Sequence, residues 1–223
     1  MYFFLSVMRI RISDKTKIHR GYGKGEGKDY KPWITVSEFN SIGTTSAIRD
    51  WKTGRQVHCL SQGEALWYCI LRWDDNNIDI REQFPLNAEE TVRIARENGF
   101  KHPVNDSHVM TTDFLVTERD GSLHAYSVKP SRKLSRRNLE ILCIEKIYWQ
   151  VRNVPFTMLF KTDANRILAA NIRLVTNFYD ASVVFDKYSA LKHKIATKEC
   201  SIDMEHDYIT TELLDKLLEV RHG

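Results

Sequence analysis

The sequence predicts an α/β fold, a mixed β-sheet flanked by helices, with a small and mostly helical region at the C-terminal end. Three patterns carry this prediction. Residues 108–129 contain two runs of β-branched and alternating apolar residues around an Asp-Gly pair, as a β-hairpin does. The segment after Ser61 has the apolar spacing of an amphipathic helix. A helical pattern after the hairpin leads into an apolar strand at 155–161, which is β-α-β order.

The composition fits one large domain, or one domain with a small appendage. The chain has 223 residues, of which 42% are hydrophobic, and this is enough for a substantial core. No apolar run is long enough to span a membrane. Residues 1–12, MYFFLSVMRIRI, lack a basic start and a small-residue cleavage site. They predict a first strand or a packed arm rather than a signal peptide.

The cysteines indicate neither a zinc site nor a disulfide framework. Cys59, Cys69, Cys143 and Cys200 are scattered, without a CxxC pair. We expect Cys69 and Cys143, which lie among apolar residues, to be buried. Free thiols fit a reducing environment, so a cytoplasmic location is expected.

The positive charge is modest but clustered. The formal net charge is +4 and the pI is near 8.8. Residues 15–31 interleave glycines with cations, among them Lys24 and Lys28, which predicts either a DNA-backbone contact or a mobile solvated loop. The densest basic cluster is Arg132, Lys133, Arg136 and Arg137. The cluster lies at the start of a predicted helix, where cations are unfavourable because they oppose the helix macrodipole. A bound anion would compensate for this, so the alternatives are a DNA contact and a solvated helix face.

Before the hairpin, three strand or loop segments and two helices are predicted. They are a strand at 32–39, a long polar connection at 41–57, the helix after Ser61, a strand at 77–86 and a short helix at 87–99 capped by Gly99. Ser61 and Glu64 have the spacing of a capping box. Glu64 therefore either holds the helix start by bonding the Ser61 amide or directs a carboxylate at a metal ion.

The hairpin brings a carboxylate near an ammonium group. A two-residue turn at Asp120-Gly121 would place Thr112 opposite Lys129, whereas a bulge or a longer loop would bring Asp113 opposite Lys129. With either register, Asp113 and Lys129 come close at one end of the sheet.

A long helix is predicted after the hairpin, followed by a buried strand at 155–161. The helix spans about 135–152, and its expected core face is Leu139, Leu142, Cys143, Ile147 and Val151. The remainder of the chain predicts helices at 163–179, 188–196 and 211–220. We therefore divide the chain into residues 1–162, which carry the sheet, and residues 163–223, a small helical domain.

Glu64, Asp113 and Lys129 form a constellation suited to hydrolysis of a phosphodiester. Two carboxylates can share a hard divalent ion such as Mg²⁺, which activates water and neutralises phosphate charge. A neighbouring lysine can orient the water and stabilise developing negative charge. An aspartate, a hairpin and then a polar-x-Lys sequence is the pattern of PD-(D/E)xK nucleases.

Several segments together resemble one particular family. They are GYGKGEGKDYKPWITVSEF, LSQGE, IREQFPL, TTDFLV, SVKPS and LEILCIEKIYW, spread in order over about residues 20–165. These segments resemble TnsA-type transposon endonucleases.

The resemblance implies a restriction-endonuclease-like catalytic domain followed by a small winged-helix-like domain that contacts DNA or TnsC. It implies a bacterial protein that cuts the 5′ ends of a transposon, with a TnsB-type transposase and a TnsC-type ATPase regulator as partners. The implied metal ligands are Glu64, Asp113 and the backbone carbonyl of Val128. Lys129 is the implied catalytic lysine, and Mg²⁺, replaceable by Mn²⁺, is the implied cofactor.

One position departs from the family pattern. Ser127 stands two residues before Lys129, where Glu or Gln is frequent, and a serine supplies no carboxylate. Glu145 on the following helix is a candidate to compensate, the alternative being a surface pair with Lys146. Two other functions stay open, a stand-alone restriction or repair nuclease and a non-catalytic DNA-binding or assembly subunit.

Overall fold

The computed structural model describes residues 12–38, 45–103 and 109–219. The strands are β1 (Ser46–Arg49), β2 (Gln56–Cys59), β3 (Asn77–Pro85), β4 (Thr111–Glu118), β5 (Leu123–Lys129) and β6 (Phe156–Phe160). The helices are α1 (Asp14–His19), α2 (Gln62–Trp73), α3 (Ala88–Glu97), α4 (Arg136–Gln150), α5 (Arg166–Thr176), α6 (Lys187–Ala196) and α7 (Thr211–Glu219). The predicted arm at the N-terminus lies almost wholly outside the described residues.

The centre of the fold is a mixed four-stranded sheet in the order β3-β4-β5-β6. Strand β4 is antiparallel to both β3 and β5, whereas β6 is parallel to β5 and follows it through the crossover helix α4. The α/β prediction is therefore confirmed. Strand β6 lies at the edge of the sheet and is only half-buried, so the expectation of a fully buried strand there was wrong.

Alternate side chains of the sheet enter two apolar cores. Phe114 and Val116 of β4 face a core built with α2 and the C-terminal helices, whereas Leu115 faces a core built with α3 and α4. Ile172 of α5 and Leu191 of α6 belong to the first core. The helices after residue 163 therefore pack directly against the layer that carries the sheet. Among the described residues, no helix is long and apolar enough to cross a membrane.

Helix α2 begins as the capping pattern predicts. Ser61 is its N-cap, and the Ser61 hydroxyl accepts a hydrogen bond from the Glu64 N–H at 3.1 Å. Tyr68 and Cys69 are buried against the sheet, and Arg72 is buried in an ion pair with Asp50. The helix consequently holds the first turn, and Glu64 with it, in a fixed position beside the sheet.

The β4–β5 hairpin has a different register from both alternatives considered for it. Its loop has three residues, 119–121, closed by a hydrogen bond from the Glu118 N–H to the Ser122 carbonyl, with Gly121 at a φ of 85°. A type I turn followed by a left-handed glycine shifts the strands by one residue relative to a two-residue turn. Phe114 therefore pairs with Tyr126, and Asp113 lies level with Ser127 rather than Lys129.

Helix α4 buries a face rotated from the predicted one. Its buried residues are Leu142, Ile144, Glu145, Tyr148 and Trp149. Leu139 and Val151 are exposed, and so is Cys143, which corrects the expectation that this thiol is buried. Tyr148 and Trp149 lie on the buried face, and the Trp149 indole N–H donates to the Thr112 hydroxyl at 2.7 Å.

Two predictions in the N-terminal part were also wrong. Residues 32–38 form no strand but end in a 3₁₀ turn at Val36–Glu38. Their backbone forms no ladder with the sheet, and the backbone bond described there runs from the Trp33 N–H to the Gln83 carbonyl. The predicted long connection contains the β1–β2 hairpin. The helix predicted at 87–99 is confirmed, with Gly99 in the left-handed conformation after its end.

Candidate active site

Asp113 lies on β4 and is held by the neighbouring strand. Its Oδ2 atom accepts hydrogen bonds from the Val128 N–H at 2.6 Å and from the Ser127 hydroxyl at 3.3 Å. These contacts fix one carboxylate oxygen against β5. Val128 is buried, and its backbone rather than its side chain makes the polar contact.

Lys129, at the end of β5, places its Nζ atom 3.7 Å from Asp113 Oδ2. The predicted approach of these two side chains is confirmed, although they are diagonal neighbours rather than a directly opposed pair. Burial alone would lower the pKa of Lys129, but the carboxylates of Asp113, Glu145 and Glu64 raise it above its usual value. The ammonium group is therefore charged at neutral pH.

The Glu64 carboxylate bonds the N–H of Leu60, one residue before the N-cap, rather than the Ser61 amide. Its Oε2 atom accepts from the Leu60 N–H at 2.8 Å and from the side-chain amide of Gln83 at 3.1 Å. Burial raises the pKa of Glu64, and the Asp113 carboxylate raises it further. The capping hydroxyl is thus supplied by Ser61, while the Glu64 carboxylate belongs to the same electrostatic cluster as Asp113 and Lys129.

Glu145 joins this cluster from α4. Only 3% of the residue is exposed, so the alternative of a surface pair with Lys146 was wrong. Burial raises the pKa of Glu145, Lys129 lowers it and Asp113 raises it. Among the described residues, its Oε1 atom has no hydrogen-bond partner. A buried carboxylate oxygen without a donor is costly and is suited to binding a cation.

Gln83 is a site residue that the sequence patterns did not reveal. Its side chain joins Glu64 to β4, because its amide donates to Glu64 while its carbonyl accepts from the Thr111 hydroxyl at 3.0 Å. Gln83 is buried and has a φ of 48°, a left-handed conformation that is uncommon for a residue inside a strand. The φ value distinguishes Gln83 from its neighbours in the structure, but the periodicity of apolar residues in the sequence does not reveal it.

The candidate DNA-binding residues lie on the surface, but several are neutralised. Lys24, Lys28 and Lys133 are exposed. Arg132 pairs with Asp163 at 2.8 Å, and Arg136 and Arg137 pair with Glu140 at 3.4 and 3.5 Å.

The glycine-rich segment packs against the chain itself. A Cβ atom added at Gly23 would stand 2.2 Å from the Pro85 ring, and the Gly23 N–H donates to the Lys31 carbonyl at 2.6 Å. Gly23 therefore allows a close internal approach to the end of β3.

The oxygen atoms at this site suit a hard divalent cation only in part. Across residues 12–38, 45–103 and 109–219, no group of three or more His, Cys, Asp or Glu side chains is arranged to hold a metal ion. Glu64 and Asp113 nevertheless interact electrostatically, and Glu145 has an unpartnered buried oxygen. Carboxylate oxygens are the ligands that Mg²⁺ prefers, and Mg²⁺ needs only one or two of them. Glu64 and Asp113 are therefore the residues that would hold such an ion.

The sheet, the crossover helix and the clustered acids with Lys129 define an α/β protein of the restriction-endonuclease-like class. Residues 74–160 match the family described as TnsA-like endonuclease N terminal. The chain is 42% identical over 161 residues to the transposon Tn7 transposition protein TnsA of Escherichia coli. The match covers 70% of this chain and 59% of that relative's length. Over these residues the chain is similar to TnsA-type endonucleases.

Proposed function

We propose that this chain is the endonuclease subunit of a heteromeric transposase and cuts the 5′ ends of a transposon. The observation that carries the proposal is the Asp113–Lys129 pair at 3.7 Å, which shares one electrostatic cluster with the buried Glu64 and Glu145. Carboxylates beside a charged lysine are the side chains that hydrolysis of a phosphodiester requires. The similarity to a transposition protein supports DNA as the substrate.

Glu64 and Asp113 are the proposed metal ligands, with the Val128 carbonyl as a third. The N–H and C=O of one strand residue point to the same neighbouring strand, and the Val128 N–H points to Asp113. The Val128 carbonyl is therefore directed to the same side as Asp113. Bound Mg²⁺, or Mn²⁺ in its place, supplies Lewis-acid activation of water and neutralisation of phosphate charge.

Lys129 has two proposed tasks, both of which need its charge. It orients the attacking water, and it stabilises the negative charge that develops on the phosphate oxygens. The surrounding carboxylates support both tasks because they raise the pKa of Lys129 and hold the ammonium in place. Asp113 is oriented in turn by the Val128 N–H and Ser127.

The proposed partners are transposon-end DNA, a TnsB-type transposase that cuts the 3′ ends, and a TnsC-type ATPase. The described part of the chain after residue 163 is helical and supports a docking role for residues 163–223. Lys24, Lys28, Arg132, Lys133, Arg136 and Arg137 are the proposed DNA-binding residues.

The test is strand-specific mapping of cuts at a transposon end in the presence of Mg²⁺, this protein and its neighbouring transposase. We expect 5′ cuts with the unsubstituted chain and none with Lys129→Ala. Lys146→Ala, which removes an exposed lysine from α4, is the matched control and should leave the 5′ cuts intact. Efficient cutting of a short duplex by the isolated chain would instead indicate a stand-alone nuclease.

A second function, a non-catalytic DNA-binding or assembly subunit, is favoured by one observation. Ser127 supplies no carboxylate where the family pattern frequently has Glu or Gln, so the site has one acid fewer on β5. If 3′ cuts persist while no 5′ cut appears with any form of the chain, this second function is correct and the endonuclease proposal is wrong.

A further inference from the structure

A basic cavity lies at the start of α2, beside the candidate active site. It has a volume of about 370 Å³, and its lining includes Gln62, Lys161, Arg166 and Arg173. The three cations come from two separate parts of the chain, the end of β6 and the exposed face of α5. None of them belongs to the basic clusters that the sequence made prominent.

The cations of this cavity are not neutralised by carboxylates. Among the described residues, no ion pair joins Lys161, Arg166 or Arg173 to an acidic side chain, and Lys161 donates instead to the Gln62 side-chain oxygen at 2.7 Å. Arg166 and Arg173 are exposed. In contrast, Arg132 and Arg136 each have an acidic partner. The cavity therefore keeps its positive charge available for an external anion.

The cavity borders the catalytic cluster through Gly63. A Cβ atom added at Gly63 would stand 3.1 Å from the Lys161 Cβ and 3.1 Å from the Val128 Cγ1. Gly63 thus separates Lys161 from the strand residue whose N–H holds Asp113. Glu64 is the next residue along α2. The cavity therefore lies directly beside the first turn of α2, which carries Glu64.

We propose that this cavity binds backbone phosphates of the DNA strand that enters the active site. The inference rests on the proposed function, since a phosphodiester held at the site brings the flanking phosphates of its strand with it. Arg166 and Arg173 lie seven positions apart on α5, about 10 Å along the helix axis. Phosphates of one strand follow each other at about 3.4 Å along a duplex axis, so the two arginines span about three of them.

The experiment compares two doubly substituted chains with the unsubstituted one. Arg166→Gln/Arg173→Gln removes two cations from the cavity. Lys146→Gln/Lys194→Gln removes two exposed lysines, one from α4 and one from α6, so this control chain has the same net charge as the cavity variant. Binding to a transposon-end duplex is measured by fluorescence anisotropy with EDTA present, so that no cleavage occurs, over about 50 to 200 mM salt.

We expect the cavity variant to flatten the plot of log K against log salt by about 1.8, which is about 0.9 for each lost phosphate contact. The lysine control should keep the slope of the unsubstituted chain. Equal slopes for all three chains, or no salt-dependent duplex binding by the unsubstituted chain, would overturn the proposal.

Strand-specific cleavage by the same chains separates this proposal from the proposed function. A flattened slope without any 5′ cut by the unsubstituted chain supports the phosphate cavity and contradicts the endonuclease. Normal 5′ cutting by the unsubstituted chain, together with an unchanged salt slope for the cavity variant, supports the endonuclease and contradicts the phosphate cavity. The cavity variant could also keep the salt slope of the unsubstituted chain but no longer bind the neighbouring transposase. In that case the cavity binds an acidic protein surface, and the DNA proposal is wrong.

Discussion

The side-chain amide of Gln83 donates a hydrogen bond to the Glu64 carboxylate at 3.1 Å and thereby joins the central sheet to the first turn of α2. Gln83 makes this contact from a left-handed backbone conformation, at a φ of 48°. Such a conformation costs about 1–3 kcal/mol for a residue other than glycine and persists where the surroundings enforce it. Gln83 is therefore expected to position Glu64, the proposed metal ligand.

We expect Gln83→Asn to lower single-turnover 5′ cleavage by about 10- to 100-fold, because Asn tolerates the left-handed conformation but its shorter amide does not reach Glu64. The affinity of the variant for DNA should stay unchanged. Unchanged binding would show that the variant is folded and that only cleavage is affected. The control is Gln150→Asn at the exposed end of α4. Unaltered cleavage by Gln83→Asn would remove Gln83 from the positioning of Glu64.

Glu145 is expected to replace the acid that Ser127 lacks. Both side chains are neighbours of Asp113, since the Ser127 hydroxyl donates to Asp113 at 3.3 Å and the Asp113 carboxylate acts on the buried Glu145. We expect Glu145→Ala to abolish 5′ cleavage and Ser127→Glu/Glu145→Ala to restore it in part, since the new carboxylate enters the space that Glu145 leaves. Ser127→Glu alone should destabilise the fold, because it adds a charge beside Asp113 and Glu145.

The measurement for this pair is a double-mutant cycle on cleavage rate and melting temperature. Residues in one network typically couple by about 0.5–3 kcal/mol. Glu97→Ala, on the exposed face of α3, is the control and should add independently to each substitution. Purely additive effects of Ser127→Glu and Glu145→Ala would contradict the compensation.

Asp50 is expected to contribute strongly to the stability of the fold, because its carboxylate is the counter-charge of the buried Arg72. Its Oδ2 atom lies 3.0 Å from Arg72 Nε and accepts from the Tyr68 hydroxyl at 2.8 Å. Asp50→Asn should lower the free energy of unfolding by about 3–5 kcal/mol, because it leaves a buried guanidinium without a counter-charge. Glu97→Ala removes an exposed ion pair and should cost below about 0.5 kcal/mol. Chemical denaturation measures both, and equal small effects would contradict the prediction.

The same residue predicts how stability depends on pH. Burial raises the pKa of Asp50, but Arg72, Tyr68 and two backbone N–H groups lower it below its ordinary value. The stabilisation that the charged Asp50 gives the fold is therefore fully present above the pKa of Asp50 in the unfolded chain, about 3.9. It is lost as the pH falls through the lower pKa that Asp50 has in the folded chain. The difference in unfolding free energy between the unsubstituted chain and Asp50→Asn should shrink below about pH 4. A constant difference down to the acid limit would contradict this assignment.

Glu140 is expected to weaken the DNA contact of the basic cluster on α4. It pairs with both Arg136 and Arg137, and Arg136 has 94% of its side chain exposed. Glu140→Gln should therefore strengthen duplex binding, whereas Arg136→Gln/Arg137→Gln should weaken it and flatten its salt dependence by about 0.9 for each phosphate contact. Anisotropy titrations measure both. If neither substitution changes the slope, this end of α4 does not contact DNA.

Much of the scaffold could be predicted because its signals are local. The Ser61 cap, the apolar spacing of α2 and the Asp-Gly loop act over a few residues, so they located Asp113 and Lys129 on one hairpin and Glu64 at a helix start. The register of the hairpin was predicted less well, since two- and three-residue loops share the same Asp-Gly signal and differ by one position.

The chemistry of individual residues depended on packing between distant segments. Helix α4 is apolar on more than one side, and only its contact with the sheet determined that Tyr148, Trp149 and Glu145 are buried while Cys143 is exposed. Gln83 and the cations Lys161, Arg166 and Arg173 have no sequence pattern of their own. The sequence by itself determined the family resemblance, the hairpin and the three residues proposed for the centre of the site. Only the tertiary structure decided which further charges surround them, because burial and charge pairing are properties of segments brought together by folding.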